Sequence, residues 1–210
     1  MRPFFEGRRI YSPGESWADA LVHGFGIVAA LLGSITLLAH AGASWVLVSY
    51  LFGLMTMLMC SAAYNLTPSS HLKWILRRLD HSAIYVLIAG TYTPLLPFLP
   101  DVSQGWTLGM VTWIGAAFGI AMKLVFPGRF DRFAILVYLA LGWVGVTAAS
   151  SFVQVLPSAV ISLIVIGGLL YTAGVIFHVW ENMKFHNAIW HSFVIVAAAC
   201  HFAAISLLYW

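Results

Sequence analysis

Apolar segments of about 20 residues recur along the chain, and they constrain its fold more than any other feature. In a bilayer, a segment of that length is long enough to cross the hydrocarbon core as a helix. Hydrophobic residues make up 61% of the chain and charged residues only 8%, whereas a soluble domain carries about 25% charged residues. The sequence therefore predicts an all-α membrane protein and excludes an ordinary soluble domain.

Seven such segments are predicted, and short connections with turn residues separate them. They use up the length of the chain, so we expect one seven-transmembrane helix bundle over residues 1–210, with residues 1–19 as a cytoplasmic N-terminal segment. Pro94 cannot donate a hydrogen bond to the carbonyl of Gly90, so the third span is expected to kink. The predicted spans are residues 20–40, 45–66, 81–100, 105–126, 132–152, 157–180 and 188–209.

The basic residues predict how the bundle is oriented. They lie before the first span, between the second and third, around the connection from fourth to fifth, and between the sixth and seventh. Cytoplasmic loops carry the excess of Lys and Arg, so we expect the N-terminus inside and, with seven spans, the C-terminus outside. The ten basic residues are Arg2, Arg8, Arg9, Lys73, Arg77, Arg78, Lys123, Arg129, Arg132 and Lys184.

Polar side chains gather at the cytoplasmic ends of four predicted spans. Such groups are costly in a membrane and usually face the bundle interior or a water-filled cavity. In the first, second and seventh spans they form pairs four residues apart, which places each pair on one helix face. The residues are Asp19 and His23, Ser61 and Asn65, Asp80 and His81, and Asn187 and His191.

Single members of this set have ordinary structural explanations. Asn187 could be the N-cap of the last helix, and His23 could lie at the membrane interface. Only the whole set, gathered at one depth, indicates a functional cavity. We expect Ser61, Asn65, Asp80, Asn187 and His191 to line it, with Asp19, His23 and His81 as further cavity residues.

Motifs at these positions resemble the hemolysin III family, the bacterial branch of the progestin and adipoQ receptor superfamily. The resemblance covers nearly the whole chain and implies seven helices, an N-terminus inside the cell, and a place in the bacterial cytoplasmic (inner) membrane. The strongest motifs are residues 79–85 (LDHSAIY), 88–94 (IAGTYTP) and 188–191 (AIWH), with weaker similarity at 15–24 and 61–64.

The resemblance also implies a zinc site. The family pattern has one histidine four residues after the serine of the second span and two histidines four apart at the start of the seventh. An aspartate of the third span holds the zinc-bound water, and related alkaline ceramidases and adiponectin receptors use such a site for lipid amide hydrolysis. The resemblance thus implies Ser61 and Asp80 as catalytic residues, and positions 65, 187 and 191 as metal ligands.

This chain departs from that pattern at two of the three ligand positions, where it has Asn65 and Asn187, and only His191 remains. Asp19 also replaces the usual asparagine of the first motif. An amide oxygen is a poorer zinc donor than an imidazole, so zinc binding is expected to be weak or absent. His186 is not expected to substitute for its neighbour, because one residue turns about 100° around a helix.

Three functions are considered. The favoured one is a membrane protein with a degenerate metal site that binds or senses lipid. The alternative is a zinc-dependent lipid amide hydrolase, in which Asp80 positions water and Ser61 helps to stabilise the oxyanion. A pore-forming cytolysin is the third, although no helix carries a charged, water-lined face along its length. Membrane lipids are the expected partners, as ligand or substrate, and nucleic acid is not; the oligomeric state is left open.

The charge distribution generates a prediction about topology. A reporter fused to the N-terminus should behave as cytoplasmic, and one fused to the C-terminus as external. Cysteine labelling from either side of the membrane measures both ends independently. Finding both ends on the same side would contradict the seven-span arrangement.

Overall fold

A computed structural model of the protein describes residues 11–126 and 128–210. Arg2, Arg8 and Arg9, which contribute to the predicted orientation, lie outside these residues, as does Pro127. The described residues form eight α-helices: α1 (Pro13–Ala41), α2 (Trp45–Leu66), α3 (His71–Tyr92), α4 (Val102–Val125), α5 (Asp131–Trp143), α6 (Ala149–Val155), α7 (Ser158–Val179) and α8 (His186–Tyr209). Two 3₁₀ segments, Thr93–Phe98 and Val144–Ala148, follow α3 and α5.

Within the described ranges, six helical segments are long and apolar enough to cross a membrane: α1, α2, α4, the unit Asp131–Val155, α7 and α8. Helix α3 is not among them, because its N-terminal half carries Lys73, Arg77, Arg78 and Asp80. The predicted third span, 81–100, falls on the rest of α3 and on the following 3₁₀ segment. The structure thus confirms an all-α fold suited to a membrane, and the count of seven spans stays a prediction.

Large apolar side chains cover the outside of the bundle. Leu21 and Phe25 of α1, Phe52 of α2 and Ile114 of α4 are each more than 60% exposed. A soluble protein rarely exposes apolar surface in contiguous patches of this kind. Outward faces of this composition fit a lipid environment.

Helix α1 begins at Pro13, before the predicted start of the first span at residue 20. Ser12 and Glu15 form a capping box, in which the Ser12 hydroxyl accepts from the Glu15 N–H and the Glu15 carboxylate accepts from the Ser12 N–H. Such a cap, together with a proline in the first turn, favours helix initiation at this point. Asp19 and His23 consequently lie inside a helix and are buried rather than at its opening.

Helices α2 and α3 pack with their backbones in close contact. A Cβ at Gly53 would lie 3.0 Å from the carbonyl oxygen of Val86, and one at Gly90 would lie 3.0 Å from that of Ser49. Small residues permit this approach between helices in a membrane, where dispersion forces rather than hydrophobic burial hold helices together. The close contact fixes α3 beside α2 and so positions Asp80 beside Ser61.

The expected interruption of the third span is present, because α3 ends at Tyr92 and continues as the 3₁₀ segment that contains Pro94. Side-chain hydroxyl groups pair with backbone carbonyls there. The Ala89 carbonyl accepts from the Thr93 hydroxyl at 2.9 Å in addition to the Thr93 N–H, and the Pro94 carbonyl accepts from the Tyr209 hydroxyl at 2.8 Å. Irregular backbone at membrane depth requires such partners.

A second interruption, between α5 and α6, contains no proline and was not predicted. Here the Tyr92 hydroxyl donates to the Gly142 carbonyl at 2.6 Å and accepts from the Gly145 N–H at 2.9 Å. One phenol of α3 thus donates to a backbone carbonyl and accepts from a backbone N–H at the two sides of this interruption. The break is therefore associated with a tertiary contact and not with a local sequence preference.

Replacing Tyr92 with Phe should destabilise the bundle, because it removes the hydrogen bonds of this hydroxyl to the Gly142 carbonyl and the Gly145 N–H. We expect the free energy of unfolding to fall by about 1–2 kcal/mol, measured by thermal denaturation in detergent. Tyr50→Phe is the matched control, since the buried Tyr50 hydroxyl has no hydrogen-bond partner among the described residues and its loss should cost nothing. Equal effects of the two substitutions would show that Tyr92 does not hold the break.

Candidate functional site

Polar residues of α1, α2 and α8 meet inside the bundle. Asp19, His23, Ser61 and His191 are all buried, with exposed fractions between 2% and 7%. Asp19 and His23 come from one face of α1, Ser61 from the last turns of α2, and His191 from the second turn of α8. These side chains, which belong to the four-residue pairs of the sequence, therefore face the interior of the bundle.

Asp19 is the centre of this cluster. Its Oδ1 accepts from His191 Nδ1 at 2.6 Å, and its Oδ2 accepts from Asn187 Nδ2 at 3.0 Å. Its backbone carbonyl accepts from His23 Nδ1 at 2.8 Å. One residue of α1 therefore fixes the start of α8 and orients two imidazole rings.

The two imidazoles face the hydroxyl group of Ser61. His23 Nε2 lies 3.2 Å from Ser61 Oγ, and His191 Nε2 lies 3.5 Å from the same atom. The rings pack edge to face, with their centroids 4.3 Å apart. Two nitrogen ligand groups and one hydroxyl thus converge on a single point.

The two family ligand positions that carry asparagine contact each other. Asn187 Nδ2 donates to Asn65 Oδ1 at 3.1 Å, in addition to its bond with Asp19. Asn65 Nδ2 donates to the Ser61 carbonyl at 2.9 Å and lies 3.4 Å from Ser61 Oγ. The amides therefore form part of a hydrogen-bonded network, and the three-histidine donor set of the family pattern does not exist here.

Asp80 and His81 are placed differently from each other. The Asp80 carboxyl group is buried, lies beside Ser61 and interacts electrostatically with His191. The His81 ring packs edge-on against Tyr64, and its surroundings include Arg77 and Lys123. Adjacent residues of a helix point about 100° apart, so His81 does not join the cluster although it was expected to line the cavity.

A small cavity adjoins the converging groups. Its volume is about 10 Å³, close to the smallest space that holds one water molecule. Besides His23, Ser61 and His191, its lining is apolar and consists of Met57, Leu58, Val194 and Ile195. In this conformation the site admits a water or an ion and excludes an acyl chain.

Three residues of the cluster could hold a metal ion. Asp19, His23 and His191 each offer one ligand atom, and these atoms all lie within 4.8 Å of one another. This set shares only His191 with the three positions implied by the resemblance. The sequence placed Asp19 and His23 in the cavity but did not identify them as a donor set, because their convergence with His191 depends on how α1 packs against α8.

A second polar cluster was missed from the sequence. Asp131, at the start of α5, forms ion pairs with Lys123 of α4 at 2.8 Å and with Arg77 of α3. Lys123 is buried, with 3% of its surface exposed. The cluster joins three helix ends, and no spacing in the sequence links these residues. Its groups pair with one another, which indicates a structural role.

Comparison with known proteins gives consistent matches over nearly the full chain. A family profile described as Haemolysin-III related matches residues 14–202. A hemolysin-3 homolog of Bacillus subtilis (strain 168) is 40% identical over 194 residues, which cover 90% of this chain and 91% of that protein. Hemolysin-3 of Bacillus cereus is 37% identical over 194 residues, covering 90% and 89%.

A more distant relative is animal rather than bacterial. The monocyte to macrophage differentiation factor of Homo sapiens is 27% identical over 200 residues, which cover 91% of this chain and 83% of that protein. The chain therefore spans most of the length of each of these relatives.

Asp19→Asn tests the central position of this carboxylate. The variant keeps the shape of the side chain but turns one acceptor oxygen into a donor, which then faces the N–H of His191 or of Asn187. We expect a loss of about 1–3 kcal/mol in the free energy of unfolding, measured as a lower melting temperature in detergent. Asp101→Asn is the control, because Asp101 is an exposed N-cap, where asparagine is equally good. A melting temperature unchanged by Asp19→Asn would contradict the central role of Asp19.

Proposed function

This chain belongs to the hemolysin III family, and on that basis we propose that it is a seven-span membrane protein that binds or senses a ligand at its polar cluster instead of hydrolysing lipid amides with zinc. The hydrogen bond between Asn65 and Asn187 carries this proposal. Its two asparagines stand at two of the three positions at which the family pattern has zinc ligands. Zinc affinity at those positions is accordingly weak or absent.

The contacts of Asp131 support a seventh span. They join the start of α3, the end of α4 and the start of α5 at one end of the bundle. Helices α3 and α4 are therefore antiparallel over a common length, and α3 crosses the same thickness as α4. In its N-terminal half Asp80 is buried and Lys73, Arg77 and Arg78 are half-buried, so these charged groups are partly shielded from lipid.

The basic residues support a cytoplasmic N-terminus. Lys73, Arg77, Lys123, Arg132 and Lys184 all lie at or beside helix ends on the side of the bundle that carries the polar cluster, as the positive-inside rule requires of a cytoplasmic face. The bacterial relatives favour the cytoplasmic (inner) membrane as the location.

A polar group of a membrane lipid is the candidate ligand of the cluster. Trp17 and Leu21 are about 70% exposed on the opposite face of α1, and they place this part of the helix at the level of lipid. The water-sized cavity beside Ser61 means that a lipid would need a more open conformation than the one described. The proposed ligand therefore contacts the rim of the cluster before it reaches the histidines.

Hydrolysis is the second candidate function, and one arrangement favours it. Ser61 faces His191, which is oriented by Asp19, and Asp80 lies beside the same serine. A hydroxyl, an imidazole and two carboxylates are chemically sufficient for acyl transfer if a substrate gains access. The closed cavity and the absence of the three-histidine set are the reasons to rank it second.

The purified protein should not hydrolyse a ceramide-type lipid amide above the rate of a Ser61→Ala variant, measured by release of free fatty acid.

The Asn65→His, Asn187→His double variant should bind zinc at least about 10–100-fold more tightly than the natural chain, since even outer-shell groups contribute that much. Hydrolysis by the natural chain that disappears in Asp80→Asn would overturn the proposal. Zinc binding restored without hydrolysis would support it.

A further inference from the structure

The hydrogen bonds of His23 and His191 determine which nitrogen of each ring carries a proton. His23 Nδ1 faces the carbonyl oxygen of Asp19, which can only accept, so Nδ1 is the donor. His191 Nδ1 faces the Asp19 carboxylate and is likewise the donor. In a neutral ring, the second nitrogen then carries a lone pair and no proton. Both Nε2 atoms are therefore acceptors or metal ligands.

The two Nε2 lone pairs need two hydrogen-bond donors, and the facing hydroxyl group of Ser61 has only one hydrogen to donate. Ser61 Oγ is the shared neighbour of both Nε2 atoms, and its one hydrogen is also within reach of the Asp80 carboxylate. Asn65 Nδ2 also lies within reach of that oxygen and is itself a donor, so it adds nothing for the imidazoles to accept. One buried Nε2 thus faces an oxygen without a hydrogen for it, an unfavourable arrangement that a bound cation would remove.

The charge of the cluster also favours a cation. Asp19 and Asp80 are both buried, and among the described residues the ion pairs of Asp19 are with His23 and His191 alone. No Lys or Arg side chain forms a salt bridge with Asp19 in that part of the chain. Buried carboxylates need compensating charge; Asp80 has Arg77 in its electrostatic surroundings, and a divalent ion would supply that charge beside Asp19.

We propose that the chain binds one divalent transition-metal ion through Nε2 of His23 and Nε2 of His191, with Asp19 holding both rings from behind. Ligand histidines usually donate their other N–H to a carboxylate or a backbone carbonyl, and Asp19 supplies one of each. The adjoining cavity has room for one water as a further ligand. Imidazole ligands select zinc and its neighbours in the first transition row over magnesium or calcium.

This inference goes beyond the proposed function, because it requires no lipid. It also differs from the site implied by the family resemblance, since it uses a histidine of α1 and neither position 65 nor position 187. Two imidazoles are fewer than three, so the expected affinity is lower than that of a three-histidine site.

The test is metal binding by the full-length protein in detergent, after removal of bound metal with a chelator. Cobalt(II) is added as a spectroscopic probe and then displaced with zinc. We expect about one ion per chain, with the intense visible absorption of a low-coordinate cobalt site, and no competition from magnesium or calcium. His23→Gln should weaken binding by more than about 100-fold, and Asp19→Asn by about 10–100-fold.

His81→Gln is the matched control, because the His81 ring packs against Tyr64 and does not join the cluster. It should leave binding unchanged, whereas His23→Gln should weaken it; at a site built on the family ligand positions, both substitutions would leave binding unchanged. His23→Cys gives a second readout, because a thiolate ligand adds a sulfur-to-cobalt charge-transfer band that reports directly on residue 23. Gel filtration and melting temperature without metal establish that each variant is folded.

Two results would overturn the inference. One is a folded natural protein that binds no cobalt or zinc, and the other is binding that survives His23→Gln unchanged. Neither result depends on lipid amide hydrolysis, so the inference and the proposed function can fail separately.

Discussion

A membrane interior offers no water to polar groups, and this constraint governs the structure of the bundle. The two irregular segments show how it is met. Where the chain leaves its α-helical path near Pro94, after α3, hydroxyl groups of Thr93 and Tyr209 pair with backbone carbonyls. Where it leaves that path again after Trp143, at the end of α5, the hydroxyl of Tyr92 pairs with the Gly142 carbonyl and the Gly145 N–H. Each break is thus stabilised by a side chain from another part of the chain.

The polar cluster follows from the same constraint. Asp19 has a hydrogen-bond donor on each carboxylate oxygen, and the two asparagines pair with each other and with Asp19. The amides keep the network connected at positions where the family pattern has histidines. A site that loses two zinc ligands can therefore remain ordered, because the replacing side chains satisfy their own hydrogen bonds. What remains is a pair of imidazoles held in fixed orientations against one hydroxyl.

The ion pairs of Asp131 connect this site to the arrangement of α3, α4 and α5. They join α3, α4 and α5 at the end of the bundle at which Asp80 lies. The close backbone contact of α2 with α3 then sets Asp80 beside Ser61, and α8 joins through Asp19. A few contacts at one end of the molecule thus link the position of the site to the directions of the helices.

Composition and segment length depend only on local residues, so the sequence alone indicated an all-α membrane protein, and its motifs pointed to the hemolysin III family. It also placed Asp19, His23, Ser61, Asn65, Asn187 and His191 at the same ends of their predicted spans, with the two members of each four-residue pair on one helix face. Three features depend on tertiary packing: His81 turns away from the cluster, Tyr92 supports the break between α5 and α6, and Asp19 holds His191. Asp19 and His191 are 172 residues apart, and their contact depends on the rotation and close packing of α1 against α8, which no local pattern encodes.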